Sequence, residues 1–277
     1  MTASLEVIKF LTEKSPPYIL DLPDYYQDTP FNIACCYKCP EVVQFLLSQG
    51  SVVAKNIERF SLLDVLLNVA ENMIPIASLH LDAGANINLA HCQHGTLLMI
   101  AIVRHMNIQR AANSLKNENS PYVDLGILLI DRGCDVNAAN YVGDTALHLT
   151  VRAELETVVR KILIVGSDID RCNNFGDTPV HYACKYGNQR LLDLLIISGA
   201  NLRALDREIT LERWRRGQEL NEKNTHLLSY AIGKSKQCLS LENFCIITIR
   251  KNIRNVENYA TKLGLPPLLM TRLQLKD

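Results

Sequence analysis

Two sets of short motifs recur along most of this chain with a period near 33 residues. The first set comprises DTPFNIA (28–34), GTLLMIA (95–101), DTALHLT (144–150) and DTPVHYA (177–183), with a weaker copy that places Ser61 in the threonine slot. The second set consists of the glycines Gly50, Gly84, Gly133, Gly166 and Gly199, which lie 34, 49, 33 and 33 residues apart. Because both sets share one period and one exceptional step, the chain is built from internal repeats.

Each repeat is predicted to be a pair of helices joined by a turn. The Thr or Ser at the motif start is a good N-cap, and Pro30 and Pro179 follow at the first helical position, where a missing N–H costs nothing. A second helix, such as NQRLLDLLIISG (188–199), has leucines at helical spacing and ends at a glycine suited to a left-handed C-cap. Neither helix can bury its apolar face alone, so the repeats must stack on each other.

The motif resembles the ankyrin repeat, whose first helix begins with a Thr-Pro-Leu-His-like sequence. Thr178-Pro179-Val180-His181 and Thr145-Ala146-Leu147-His148 carry this likeness, which extends over roughly residues 5–206. The resemblance implies an all-α solenoid of helix-turn-helix repeats with inter-repeat turns. Because LEVIKFL (5–11) echoes EVVQFLL (41–47), the chain is expected to start on the second helix of a partial repeat.

Three stretches depart from the pattern. The Ser61 copy has neither the proline nor the histidine, and the third repeat carries about 16 extra residues, which we assign to 103–123, between its two helices. Residues 207–236 look like a degenerate last repeat, with Thr210 in register 32 residues after Thr178. We therefore expect about five repeats, a partial repeat before them and a degenerate one after them, together spanning residues 1–236.

The C-terminal stretch SLENFCIITIR (240–250) predicts one more helix with a narrow apolar stripe. Ser240 can cap it, and Leu241, Cys245 and Ile249 recur at spacings of four with Phe244 beside them. A capping helix for a repeat array needs a polar outer face, and this helix is too apolar for that unless a partner covers it. Such a stripe suits insertion into the groove of another protein.

This tail resembles the SOCS box. Its elongin-binding part is matched by Ser240, Leu241, Phe244, Cys245 and Ile249, and its cullin-binding part by Leu263, Leu265, Pro266, Leu269 and Leu273. The cullin-5 type of box reads Leu-Pro-apolar-Pro, and here Gly264 replaces the first proline. The same residues also satisfy a looser cullin-2 pattern, so the residues alone leave both cullins open, and family membership favours cullin-5.

A repeat array followed by a SOCS box at 237–277 is the architecture of the ankyrin repeat and SOCS box protein family. The resemblance implies a substrate-recognition subunit of a ubiquitin ligase, with elongin B, elongin C and cullin-5 (alternatively cullin-2) with its RING protein as partners. The repeats would bind an unknown target protein, which is then ubiquitinated and degraded by the proteasome. The alternative is an ankyrin scaffold or inhibitor with an apolar C-terminal cap and no ligase role.

Composition and charge narrow the possible functions and locations of the protein. The chain has 29 basic and 29 acidic residues, but residues 1–206 hold 16 and 22 of them and residues 207–277 hold 13 and 7. The basic residues of the tail are interleaved with apolar sequence, which argues against nucleic-acid binding. The apolar runs are too short to span a membrane. Nine scattered cysteines without a secretion signal indicate reduced thiols in the cytoplasm, or also in the nucleus.

Candidate catalytic and metal-binding groups have simpler structural explanations. Cys36-x-x-Cys39 has no second pair at a zinc-site distance, and the HCQH stretch (91–94) matches no structural zinc pattern. His148 and His181 occupy the repeat's own histidine slot, which the family uses for structural hydrogen bonds. We therefore expect neither an enzyme nor a cofactor nor a metal site.

The resemblance also implies where a target binds, because in the family the inter-repeat turns and first helices line a concave face. We predict contacts at Asn86, Asn137, Asp168 and Asn201, with 113–120 as an accessory region. Asn137 also resembles ankyrin asparagines that are hydroxylated by an oxygen-dependent asparaginyl hydroxylase. The alternative, an ordinary turn asparagine, is favoured.

Overall fold

The computed structural model describes residues 2–25, 29–37, 39–51, 73–91, 95–112, 120–202, 205–217, 221–235 and 248. Within these ranges the regular secondary structure is almost entirely helical. The helices are α1 (Thr2–Lys14), α2 (Pro30–Cys36), α3 (Pro40–Ser48), α4 (Met73–Asp82), α5 (Leu97–Ala112), α6 (Pro121–Asp131), α7 (Ala146–Ala153), α8 (Glu156–Val165), α9 (Pro179–Lys185), α10 (Gln189–Ile197), α11 (Arg207–Arg216) and α12 (Glu222–Ser235). A 3-10 helix covers Pro17–Asp21.

The one sheet in the described ranges is a two-stranded antiparallel pair. It joins β1 (Ala90–His91) to β2 (Gly95–Thr96), with Ala90 opposite Thr96. The next repeat has a single bridge at the equivalent place, between Ala139 and Thr145. The chain therefore turns back on itself just before a first helix begins.

The helices stack in two layers, as the repeat pattern requires. First helices α5, α7 and α9 pack side by side, and second helices α4, α6 and α8 form the other layer. The buried side chains form a large cluster from α4 to α12 and a smaller one around Phe31 and Val43. Helix α4 belongs to both clusters, since it gives Ile76 to the smaller and Ala77 to the larger.

The glycines that mark the period end the second helices as expected. Gly50, Gly84, Gly133, Gly166 and Gly199 all have φ between +80° and +100°. This left-handed conformation costs little without a Cβ, so glycine at these positions lets each second helix stop and the chain turn toward the next repeat.

The third repeat differs from the expectation in two ways. Helix α5 has 16 residues, against 8 in α7, so part of the extra length prolongs the first helix instead of lying between two helices. The stretch VRHMNIQRAA contains no proline or glycine to stop a helix. The hydroxyl of Thr96 is buried without a partner in the described part of the chain, because Met99 stands where the two following repeats have His148 and His181.

The predicted register of the last repeat is wrong. Thr210 is buried inside α11, which Asp206 caps by accepting the Ile209 N–H at 3.0 Å. It is α12, not α11, that packs on first helix α9. Asn221 and Asn224 cap α12 reciprocally, each side-chain oxygen accepting the other residue's N–H at 2.9 Å.

Helix α12 therefore continues the layer of first helices, with two asparagines in the slots that threonine and histidine occupy elsewhere. Helix α11 precedes it and buries Trp214, which is 1% exposed. The described array thus reaches Ser235.

Asn224→Ala should lower the free energy of unfolding by about 1–3 kcal/mol, because the side chain is fully buried and its loss leaves the Asn221 N–H unpaired. The matched control is Asn107→Ala on the exposed side of α5, which should change stability by less than about 0.5 kcal/mol. Urea unfolding of both variants checks this. Equal effects of the two substitutions would contradict the cap.

Candidate functional site

Two tight turns before first helices α7 and α9 project from the repeats, and we call them finger 140–144 and finger 173–177. In the first, Asn140 Oδ1 accepts the N–H groups of Val142 and Asp144 at 3.1 and 2.9 Å. In the second, Asn173 Oδ1 accepts those of Phe175 and Asp177, both at 3.0 Å. Each finger is therefore held by its own asparagine, in the manner of an Asx turn.

The two fingers are also bonded to each other. Asn174 donates its backbone N–H to Val142 O and its side-chain amide to Tyr141 O, both at 3.0 Å. Their approach is close at Gly143, which has φ +82° and where a Cβ would lie 2.6 Å from Asn174 Oδ1. Glycine at position 143 therefore permits the two fingers to lie in direct contact.

Helix α11 supports the second finger from outside the repeat. Arg213 Nη1 donates to Phe175 O and to Asp177 Oδ1, each at 2.6 Å. The Asp177 carboxylate is 9% exposed and the Arg213 side chain 30%, so this ion pair is partly shielded from water. An arginine outside the repeat signature thus holds the last finger in place.

A buried histidine on α7 ties that helix to the finger of the next repeat. His148 Nδ1 accepts the Thr145 N–H at 3.1 Å and lies 2.9 Å from the Thr145 hydroxyl. Its Nε2–H then donates to Asp177 O in the next finger at 3.0 Å. Burial lowers the pKa of His148, so the ring is neutral and can accept at one nitrogen while donating at the other.

His181 repeats the first half of this arrangement in the following repeat. Its Nδ1 accepts the Thr178 N–H at 3.1 Å. Its Nε2 is buried without a partner in the described residues. Burial, with Arg213 and His148 nearby, lowers the pKa of His181 to about 4. The ring is therefore neutral near pH 7.

A buried carboxylate network lies beneath the fingers. Asp144 accepts the Tyr182 hydroxyl at 2.9 Å and the Asn173 amide at 2.8 Å. Burial, followed by the Asp144 charge, raises the pKa of Tyr182 and keeps it protonated as a donor. The edge of the His148 ring also contacts Tyr182, with ring centroids 5.2 Å apart. The Asp144 carboxylate thereby holds both Asn173 and Tyr182 in place.

The tips of the fingers carry exposed aromatic side chains. Tyr141 is 68% exposed and Phe175 is 64% exposed, although the backbone of each residue is bonded within the row. Sequence reasoning missed both residues. The available signal was a large aromatic or apolar residue in a polar turn between Asn and Gly, in NYVGD and NNFGD.

The four predicted target contacts lie in the inter-repeat turns on a second row of bonds. Asn137 Oδ1 accepts the Asp168 N–H at 2.7 Å, and Asp170 Oδ1 accepts the Asn201 N–H at 2.6 Å. Asn86, Asp168 and Asn201 are exposed and occupy the same turn position, whereas Asn137 is half-buried and lies two positions later. Target binding at all four stays a prediction, as does hydroxylation of Asn137.

The Asn137 side chain belongs to the structure of its turn. Its backbone N–H is accepted by Asp135 Oδ1 at 2.9 Å, and its own oxygen holds the next turn. Asn88 makes the equivalent bond to the Asp135 N–H at 2.7 Å. This periodic use accounts for an asparagine at position 137 without any modification.

The predicted elongin-binding and cullin-binding residues lie outside the described residues, as do 113–119 of the accessory region. Thr248, within the elongin-binding stretch, is described and is both helical and exposed. Assignment of the tail as a SOCS box therefore stays a prediction.

The potentially reactive side chains of the described residues have structural roles. Burial raises the pKa of Cys134 and Cys184 to about 12, which keeps both thiols protonated. Cys39 Sγ donates to Tyr37 O at 3.4 Å, and nothing is described for the Cys36 side chain. No group of three metal-ligating side chains occurs in the described ranges, and no helix there could cross a membrane.

Comparison with known proteins identifies the repeats. The ankyrin repeat family matches residues 26–57 as one repeat and residues 108–206 as three copies. These segments match the ankyrin repeat family, as the sequence motifs predicted. Among solved structures, the chain is similar to the ankyrin repeat domain of Bcl-3, described as a unique member of the IkappaB protein family. The identity is 25%, the TM-score 0.53, and the match covers 70% of this chain and 78% of that one.

No curated protein matches the chain. The matches indicate no enzyme family, and ankyrin-repeat proteins are typically non-catalytic interaction scaffolds. The predicted all-helical ankyrin solenoid is therefore confirmed, and the repeats point to binding of another protein.

The neutral histidines make stability depend on pH. Because the folded pKa of His181 lies near 4 and the unfolded value near 6.5, the unfolded chain binds the proton first as pH falls. Stability is fully present above pH 6.5 and is lost down to about pH 4, by on the order of 3 kcal/mol from this residue. Urea unfolding of wild type and His181→Gln across this window checks it. The same pH slope in both would contradict the assignment.

Proposed function

We propose that the chain is the substrate-recognition subunit of an elongin B/C–cullin–RING ubiquitin ligase. Its ankyrin repeats hold a target protein, and its tail, residues 237–277, holds elongin C and a cullin. Two separate observations support this assignment: a rigid row of fingers with exposed aromatic tips, and the Leu241-x-x-x-Cys245-x-x-x-Ile249 stripe of the tail.

The finger row is suited to protein recognition. Its tips present Tyr141 and Phe175 on backbone that is bonded on both sides, so little conformational entropy is lost when they are covered. Aromatic side chains are also the residues that most often dominate binding energy at protein interfaces. A target surface with an apolar patch that spans the two tips fits this arrangement.

The tail supports recruitment of elongins through its apolar stripe. Leu241, Cys245 and Ile249 would enter a groove together, with the cysteine acting as a small apolar group. Full burial of a leucine or isoleucine side chain contributes about 1.5–3 kcal/mol, which is enough to anchor a small helix.

The cullin is proposed to be cullin-5. Leu263, Leu265 and Pro266 keep three of the four positions of its box. Gly264 in place of proline should weaken binding, because glycine loses more entropy when it is ordered. Leu265, Pro266, Leu269 and Leu273 also satisfy the cullin-2 pattern, so cullin-2 is the alternative. Either cullin, with its RING protein, leaves the role of the chain unchanged.

A receptor of this kind needs no catalytic group of its own. By binding the target and the ligase at once, it converts their encounter into an intramolecular one at high effective concentration. This agrees with the structural roles found for His148, His181 and the buried thiols. The result for the target is ubiquitination followed by proteasomal degradation.

The second candidate function is an ankyrin scaffold or inhibitor without a ligase role. The similarity to the ankyrin repeat domain of Bcl-3 favours it, because that match involves the repeats. In this case the apolar tail would only cap the array. Binding of elongins distinguishes the two functions directly.

Changing Leu241 to Glu and Cys245 to Phe together should abolish binding of purified elongin B/C, because a charge and a bulky ring then face the groove. The matched control is Asn243→Ala, which helical spacing places away from Leu241, Cys245 and Ile249 and which should bind like wild type. Co-purification measures binding, and circular dichroism checks that the repeats stay folded. A double variant that still co-purifies stoichiometrically rules out the SOCS assignment.

Replacing Tyr141 and Phe175 together by alanine should weaken target capture by about tenfold or more, since truncation of a central aromatic residue typically costs above 1 kcal/mol. The matched control is Ile209→Ala, which removes a side chain of similar exposure from α11. Quantitative pull-downs compare the proteins retained by each variant. A target held equally by the double variant and by wild type would show that it binds elsewhere.

A further inference from the structure

Helix α1 has an inner face that belongs to the core. Leu5 and Ile8 pack against the smaller hydrophobic cluster, as do Phe45 and Leu47 of α3. Lys9 Nζ lies 5.8 Å from the centroid of the Phe45 ring. These contacts fix the rotation of α1 about its axis and therefore determine which residues point outward.

The outer face of α1 is apolar. Val7, Phe10 and Leu11 are 57%, 60% and 56% exposed and follow one another at helical spacing. Single exposed apolar residues are ordinary on protein surfaces, but three in one stripe form a patch. Contiguous exposed apolar residues mark surfaces that take part in protein interactions, so this stripe calls for a cover.

Charged residues flank the stripe symmetrically. Glu6 precedes Phe10 by four residues and Lys14 follows it by four, and both are exposed. Lys14 Nζ already lies 6.0 Å from the centroid of the Phe10 ring, which places it on the same side of the helix. The face therefore has opposite charges at equal distances on either side of a central aromatic ring.

We propose that this face binds the same face of a second copy of the chain, with the two α1 helices antiparallel and centred on Phe10. A two-fold axis at Phe10 brings Glu6 of each copy opposite Lys14 of the other, and the apolar residues between them cover each other. A parallel arrangement would instead oppose Glu6 to Glu6 and Lys14 to Lys14. The pairing of Glu6 with Lys14 therefore favours a second copy of the chain in the antiparallel direction.

One helix face per copy is smaller than the roughly 800 Å² per partner of a standard stable interface, so the dimer is weak and reversible. Its consequence is valency, because two copies present two rows of fingers to one target or to a target with repeated sites. This inference does not depend on the ligase assignment, since none of its observations involves the tail.

Sedimentation velocity of the full chain over a range of concentrations tests the proposal. Wild type should show a reversible monomer–dimer equilibrium, and Phe10→Asp, at an exposed position, should stay monomeric. Glu6→Lys and Lys14→Glu should each weaken the homodimer about tenfold or more, because each places like charges opposite each other. The double exchange should restore wild-type affinity.

Mixing the two single variants gives a matched control within the same experiment. A Glu6→Lys chain and a Lys14→Glu chain should pair with each other more tightly than either pairs with itself. Single variants that dimerise like wild type overturn the antiparallel arrangement. A wild-type chain that stays monomeric at every concentration overturns the dimer, and shows that a segment of the chain itself or another protein covers the stripe.

Discussion

The hydrogen bond from His148 Nε2–H to Asp177 O is the interaction on which the site depends most. It joins one repeat to the finger of the next at 3.0 Å, and it requires a neutral ring whose other nitrogen accepts from Thr145. Burial supplies that neutral state by lowering the pKa of His148. One side chain thereby caps its own helix and fixes the spacing of the following repeat.

Rigidity of the finger row follows from this and from the bonds around it. Asn174 joins the two fingers, Arg213 holds the second one from α11, and Asn137 and Asp170 join the turns. The side chains that make these bonds are used for structure and not for binding a ligand. The tips are left to Tyr141 and Phe175, which can contact a partner without reorganisation of the backbone.

The periodic features were predictable because they follow from local backbone requirements. A Thr-x-x-His start and a glycine at the end of each unit define both ends of a helix pair, and the structure has them where the sequence placed them. The end of α5 was not predictable from motifs, since its continuation depends only on the absence of a stop signal. Asn221 and Asn224 were not predictable from the repeat motif, because these asparagines form the cap that threonine and histidine form elsewhere.

The candidate site was predicted less completely than the fold. Turn residues are recognisable from composition, but which turn atoms are consumed by bonds between repeats depends on the stacking itself, as Asn137 and Asp168 show. The exposure of Tyr141 and Phe175 likewise depends on tertiary structure, because another tyrosine, Tyr182, and another phenylalanine, Phe31, are buried. The tail was assigned from a side-chain pattern alone, and its partner has to be found by experiment.

The most direct test of the whole account is quantitative mass spectrometry of proteins captured from cells by the full chain and by a chain that lacks residues 240–277. The account predicts that the full chain retains elongins B and C with a cullin and a target protein. The shortened chain should lose the elongins and the cullin and keep the target. Elongins retained at equal levels by both chains, or captured by neither, would contradict the account.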